Sequence, residues 1–194
     1  KGEVIGPRVV PAGYYLGVTA GHLVGNPVAL TLDGPVAFKK ALRENIRNGA
    51  EAIKFGLSGG FWGPPWDDPD GLFPAEDEID AVFETAKQRG FPVMGYATGA
   101  RAAYVAASRG AVSIEHGYTL DERTVEAMAA NNVIFVPTLS LSQVSAGLVY
   151  DEYEKAFAAV HAVPPDTRAK AEAKIDSIRN GIEMVRKAGV RIAA

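Results

Sequence analysis

The sequence predicts an α/β fold built on a parallel sheet, and three observations predict it. The first is a repeated junction in which a basic or amide residue ends a helix, Gly or Asn follows, and a short apolar run begins almost at once. Asn48-Gly49-Ala50-Glu51-Ala52-Ile53-Lys54-Phe55-Gly56, Arg89-Gly90-Phe91-Pro92-Val93-Met94-Gly95-Tyr96-Ala97 and Arg109-Gly110-Ala111-Val112-Ser113-Ile114-Glu115-His116-Gly117 are three copies, and weaker ones start at Asn131 and Ala188. Gly or Asn at such a junction supplies the left-handed cap that stops a helix. The second observation is that these αβ connections are short, as parallel sheets require. The third is that helical-period segments alternate with the apolar runs.

In chain order, a strand is expected at Arg8 to Val10, then a glycine-rich loop from Gly13 to Asn26 carrying Thr19-Ala20-Gly21-His22. A helix follows from Pro35 to Asn48, with proline at the favoured first position and Val36, Ala37, Ala41, Leu42 and Ile46 along one face. Strand Ala52 to Phe55 leads into a long loop, Leu57 to Pro74, containing Ser58-Gly59-Gly60-Phe61-Trp62-Gly63-Pro64-Pro65-Trp66. A loop of that length is functional or mobile. The helix Ala75 to Arg89 buries Ile79, Val82, Phe83 and Ala86 and precedes the strand Val93 to Ala97. Helix Ala100 to Arg109, strand Val112 to His116, helix Asp121 to Asn131 and strand Val133 to Val136 continue the alternation. After Pro137 a Ser-rich loop runs to Val149, a short helix covers Asp151 to Val160, one longer helix covers Asp166 to Lys187, and a final strand ends the chain. About six strands and six helices fit either a doubly wound sheet or most of a barrel. A complete eight-fold barrel takes roughly 250 residues, so 194 is short for one. Lys1 is not a start methionine and Ala194 falls at the carboxyl edge of a strand, so both ends read as cut.

Composition describes a soluble packed domain, with 47% hydrophobic and 22% charged residues and a net charge of -3. That balance gives no footprint for nucleic acid. No apolar run reaches the roughly 18 residues of a membrane span and no signal sequence opens the chain, which leaves cytoplasmic and periplasmic or secreted locations open. With no cysteine, any metal must be held by His, carboxylate or a modified lysine.

Lys54, between Ile53 and Phe55 at a strand end, is either a snorkelling lysine or an amine whose pKa burial lowers, fit for a Schiff base or for carboxylation. His116 stands at the carboxyl end of an apolar strand, where α/β barrels keep their chemistry. Its alternative is a core histidine bonded to a neighbouring carbonyl. His22 reads on position as a solvated loop residue, and His161, before Pro164-Pro165, as a surface one. Glu115 alternates with His116 and is expected to face the helices in an internal salt bridge. Trp62 and Trp66, with Phe61 and Phe73, either wall a pocket or pin the long loop. Ser58-Gly59-Gly60 could offer amides to an anion. Ser140, Ser142 and Ser145 lack the G-x-S-x-G context of a serine hydrolase.

Gly6-Pro7-Arg8-Val9, Thr19-Ala20-Gly21-His22, Ile53-Lys54 with Ser58-Gly59-Gly60, Ser113-Ile114-Glu115-His116-Gly117 with Leu120-Asp121, and Val136-Pro137-Thr138-Leu139 occur in an order and spacing that resemble the metal-dependent amidohydrolase superfamily, in its imidazolonepropionase-related and Xaa-Pro dipeptidase-like branch. The resemblance implies one partial (β/α)8 TIM-type barrel domain over residues 1–194, about strands three to eight, lacking the first two strands and the terminal β-sandwich. It implies zinc or another divalent metal, with Lys54 as the carboxylated lysine and His116 as the sixth-strand histidine, hydrolysing amide or peptide-like C–N bonds of a small molecule by a metal-activated water. His22 and Tyr118 fall among the loops expected to bind substrate.

Departures from the pattern qualify the activity. No His-x-His pair is present, the Gly-Thr-Asp segment of the family is not reached, and Tyr96 stands where the family has a histidine ligand. A neutral phenol is a poor zinc ligand. The expectation is therefore an impaired or inactive amidohydrolase. The alternatives are a non-catalytic scaffold that binds a small molecule or self-assembles through open barrel edges, and a Schiff-base enzyme using Lys54.

Overall fold

The computed structural model describes residues 5–160 and 162–193, so the expectations for Lys1, His161 and Ala194 lie outside the described residues. Six strands, β1 (Tyr15–Val18), β2 (Ala29–Leu32), β3 (Ile53–Gly56), β4 (Val93–Gly99), β5 (Ser113–Thr119) and β6 (Ile134–Val136), form one open sheet in the order β2-β1-β3-β4-β5-β6. Every pairing is parallel. Among the described residues eight helices accompany them: α1 (Pro35–Arg47), α2 (Glu76–Arg89), α3 (Ala100–Ser108), α4 (Glu122–Ala130), α5 (Leu139–Ser145), α6 (Glu152–Val160), α7 (Pro165–Glu172) and α8 (Ile175–Lys187).

The repeated junctions adopt the conformation their residues favour. Gly49, Gly90, Gly110, Gly189 and Asn132 all have positive φ, and α1 to α4 each give way to a strand after only three to five residues. At the other end, Asp121 caps α4 by accepting from the Thr124 N–H at 2.8 Å. Glu78 does two jobs, accepting from Ala75 N–H at the start of α2 and from Gly34 N–H just before α1.

Register separates the two faces of the sheet and decides between the two architectures left open. Leu16, Phe55, Gly95, Ile114 and Phe135 stand level across five strands. This row packs on Phe38 and Leu42 of α1, Val82 and Phe83 of α2, Ala103 and Ala106 of α3, Met128 of α4 and Val185 of α8 in one continuous core. The opposite row, Lys54-Met94-Ser113-Ile134 and Gly56-Tyr96-Glu115-Val136, takes no part in that core. A sheet covered by helices on one face is the geometry of barrel staves, whereas a doubly wound sheet is covered on both.

Several expectations are corrected. Arg8 to Val10 is not a strand: Val9 and Val10 are exposed, and Pro7 and Pro11 remove ladder donors on either side. The stretch expected as a glycine-rich loop instead carries β1, wholly buried, with Gly17 required because a Cβ there would lie 2.9 Å from the Tyr15 ring. The β2 edge strand was not expected at all. Val36 points to solvent, and α1 buries Phe38, Ala41, Leu42 and Asn45. The Ser-rich loop holds α5, whose Ser142 and Ser145 hydroxyls bond back to the carbonyls of Thr138 and Leu141. The helix expected from Asp166 to Lys187 breaks at Ala173-Lys174, where the Lys174 ammonium turns to Asp70. The final strand is reduced to a single parallel bridge, Phe135 to Ile192, along the outer edge of β6.

Candidate active site

The carboxyl ends of the strands bring together all five residues singled out in the sequence. Tyr96 of β4 is the centre: its ring stacks on His22 at 4.5 Å between centroids, lies 4.5 Å from the His116 ring, and has the Lys54 ammonium 5.8 Å from its centroid. Tyr118 is 5.6 Å from His116 ring to ring and stacks flat on Phe61 at 4.1 Å. His22, Leu23, Phe61, Trp62, Tyr96, His116, Tyr118 and Leu141 line a cavity of about 290 Å³. That is at the lower end for small-molecule sites. A separate groove of about 330 Å³ runs past Ser140, Leu141, Val144 and Glu154, away from these donors.

His116 reaches this face because strand alternation fails at its position. It is level with Ala97, a core residue, and strict alternation would turn its ring toward the helices. Its φ of 79°, with a register slip between Ala97 and Gly99, swings the ring back beside Tyr96. Nδ1 of His116 meets the Thr138 hydroxyl at 2.7 Å and the Tyr118 hydroxyl at 3.3 Å, so the partners are side chains and not a backbone carbonyl. Burial, and after it the nearby Lys54 ammonium, push its pKa down to about 3, which keeps the ring neutral.

Glu115 corrects the expectation that it faces the helices. It shares a face with Lys54 and Tyr96, holds the Lys54 ammonium at 2.7 Å and accepts from the Ser113 hydroxyl. The internal salt bridge was expected, but its side of the sheet was not. Burial lowers the Lys54 pKa, and the carboxylate of Glu115 opposes that shift without cancelling it.

His22 is the larger correction: it is buried, with Nδ1 2.7 Å from Asp67 Oδ2. Asp67, also buried, accepts from Gly60 N–H at 3.2 Å through its other oxygen. The anion reading of Ser58-Gly59-Gly60 fails for the same reason, since Gly59 N–H donates to Asp68 C=O and Gly60 N–H to Asp67. Asp67 was missed because nothing in Trp66-Asp67-Asp68-Pro69 separates a buried carboxylate from a turn residue.

The long loop is tied down. The Thr98 hydroxyl donates toward the carbonyls of Gly59 and Pro69, and the Lys170 ammonium reaches those of Pro64 at 3.1 Å and Asp67 at 3.0 Å. Trp62 both walls the cavity and pins the loop, through Nε1 to the Ser145 hydroxyl at 2.9 Å. Trp66 stays exposed, and Phe73 packs against the core.

These residues lie in a chain whose residues 1–194 match the model of the Amidohydrolase family along their whole length. The chain belongs to the amidohydrolase family. Ochratoxinase of Aspergillus niger is 26% identical over 221 residues, which span 99% of this chain and 42% of that protein. Its crystal structure superposes with a TM-score of 0.80 at 27% identity, covering 98% of this chain and 46% of that one. A prolidase complexed with N-methylphosphonate-L-proline is 30% identical with a TM-score of 0.84, covering 99% of this chain and 48% of that one. A Xaa-Pro dipeptidase with bound methionine in the active site is 28% identical with a TM-score of 0.78, covering 99% and 48%. This amidohydrolase chain therefore spans about half the length of the relatives it matches.

Amidohydrolases generally bind divalent metals, and the donors decide whether these residues fit one. Zinc takes three or four N, O or S donors. Among the described residues no three His, Asp or Glu come together for an ion. The Tyr96 ring fills the space between the two imidazoles. Its own phenol is held well above its usual pKa, chiefly by burial, so it is no anionic ligand. Carboxylation of Lys54 would set a second anion against Glu115, which now neutralises the ammonium. The described residues do not fit a divalent metal by themselves. Among them, no helix is long and apolar enough to cross a membrane.

Proposed function

We propose that the chain carries the substrate-binding part of an amide hydrolase site, for a small peptide-like molecule, and that on its own it hydrolyses such amides poorly or not at all. The observation that carries this reading is the Tyr96 ring between His22 and His116, at the floor of an aromatic cavity on the carboxyl ends of the strands. Family membership supports C–N bond hydrolysis as the ancestral chemistry, and the aromatic walls support binding of a flat or apolar group. Prolidase, Xaa-Pro dipeptidase and ochratoxinase relatives support a small-molecule or dipeptide-sized ligand. A metal centre built on Lys54 and His116 would need donors beyond those the described residues assemble.

The test combines metal analysis of the purified chain, with and without zinc and bicarbonate, with hydrolysis of N-acyl amino acids and Xaa-Pro dipeptides. The expected result is less than one bound metal and turnover at background. Stoichiometric metal with measurable turnover would overturn it. A self-assembling scaffold is a second reading, favoured by the half-buried sheet face of Met94, Ile134 and Val136 and by the β2 edge. Light scattering after size exclusion separates a monomer from an assembly.

A further inference from the structure

His22 brings a hydrogen-bonding nitrogen to the cavity whose role is set by a buried carboxylate. An ionised Asp67 can only accept, and both of its oxygens are engaged, Oδ2 with His22 Nδ1 at 2.7 Å and Oδ1 with Gly60 N–H at 3.2 Å. A neutral imidazole that meets a carboxylate through Nδ1 must carry its proton there and keep its lone pair on Nε2. Nε2 has no hydrogen-bond partner among the described residues, and His22 lines the cavity. Asp67 is itself immobilised, because the Lys170 ammonium grips its backbone carbonyl at 3.0 Å and that of Pro64 at 3.1 Å.

Other polar groups of the cavity are committed or ambivalent. Trp62 Nε1 donates to Ser145; His116 Nδ1 faces the hydroxyls of Thr138 and Tyr118, and the direction of those bonds sets whether its own Nε2 donates or accepts. The Tyr96 hydroxyl can donate or accept, so it does not discriminate. The remaining lining, Leu23, Phe61 and Leu141, is apolar.

We propose that Asp67 is a positioning residue that fixes the tautomer of His22, so that Nε2 accepts the N–H of a secondary amide bound beside an apolar or ring-shaped group in this cavity. A prolyl amide has no N–H and would leave Nε2 unpaired on binding. The selectivity is therefore for secondary over prolyl amides. It rests on the reading of this cavity as the amide-binding site.

Asp67→Asn reverses the device. The asparagine oxygen stays on Gly60 N–H, its NH2 turns to His22 Nδ1, and the imidazole proton moves to Nε2, which then donates. Two probes differ only in the donor: N-methylbenzamide has one N–H and N,N-dimethylbenzamide has none. Binding is read from Trp62 fluorescence in a Trp66→Phe background at pH 8.5, where imidazole is ordinarily neutral. One neutral hydrogen bond predicts that the wild-type cavity binds the secondary amide about fivefold tighter, and that Asp67→Asn abolishes or inverts the preference. In parallel, ¹⁵N spectra of the His22 ring should show Nδ1 protonated in the wild type and Nε2 protonated in Asp67→Asn. If Asp67→Asn does not fold, His22→Gln, which presents both donor and acceptor, should bind both probes equally. Equal binding of the probes by the wild type, or an Nε2-protonated wild-type ring, would sink the tautomer proposal alone. Failure of both probes to bind would remove the cavity reading and the proposal with it.

Discussion

Tyr15→Phe should stabilise this protein. Tyr15 lies on β1, is 5% exposed, and its hydroxyl is a buried polar atom with no hydrogen-bond partner among the described residues. The hydroxyl is crowded as well: it lies over Gly56, where a Cβ would run into it, and the ring sits edge-on to Tyr96 at 6.0 Å. Burial, with the charge of Asp67, pushes the phenol far above its usual pKa, so it is buried as a neutral hydroxyl. An unpaired buried hydroxyl costs about 1–3 kcal/mol. Phenylalanine keeps the ring contacts and removes that cost, leaving a gap of one oxygen atom that forfeits a few tenths of a kcal/mol of dispersion. The net expectation is about 1–2 kcal/mol of added stability, which for a chain of this size raises Tm by roughly 2–8 °C. Thermal and urea unfolding measure it directly. A loss of stability in Tyr15→Phe would refute the reasoning, because it would mean that the hydroxyl has a partner that matters.

Four other outcomes are expected. Gly60→Ala would drive a Cβ into the Tyr96 hydroxyl and the His22 ring, so amide-probe binding should fall at least tenfold, at a stability cost of about 1–3 kcal/mol, read by fluorescence titration and urea unfolding. Asp121→Ala removes the α4 cap and should cost about 1 kcal/mol. Hydrogen bonds from the Thr124 hydroxyl and N–H hold the Asp121 carboxyl below its usual pKa, so its contribution is present above the unfolded value near 3.8 and fades as pH falls through the folded one; wild type and mutant curves should converge in acid. Glu115→Gln leaves the Lys54 ammonium with burial unopposed, so its pKa should fall further, seen as faster acylation of Lys54 by mass spectrometry. Lys54 is then lowered in the folded state, so the stability loss should be largest below the folded pKa and shrink as pH rises toward 10.5. Lys170→Met removes the cation that bridges the carbonyls of Pro64 and Asp67, and limited proteolysis should cut the 61–67 segment several-fold faster than in the wild type.

Much of the fold was legible because its signals are local. The Gly and Asn caps, the proline opening α1 and the aspartate opening α4 act within a few residues of their own position, so helices α1 to α4 and strands β3 to β6 are readable from order alone. β1 and β2 were not legible. Tyr15-Leu16-Gly17-Val18 reads as a loop until Gly17 is seen to make room for the Tyr15 ring, and Val9-Val10 reads as a strand although no strand among the described residues pairs with it. The α7–α8 break at Ala173-Lys174 has no Gly or Pro to announce it, and Lys174 there pairs with Asp70 from the distant long loop.

The sequence by itself determined the alternation of helix and strand, the family, and the nomination of Lys54, Tyr96, His116, His22 and Tyr118, because residue type and spacing carry those. Only the tertiary structure decided what these residues are to one another. The positive φ of His116 overrides strand alternation and turns its ring toward Tyr96, and Glu115 meets Lys54 across β4 from two strands away. His22 leaves solvent because Asp67, 45 positions along the chain, closes on it. Each depends on groups far apart in sequence meeting where water is excluded. A local pattern does not encode that, because the energy of a buried charge or imidazole depends on its partner and not on its neighbours in the chain.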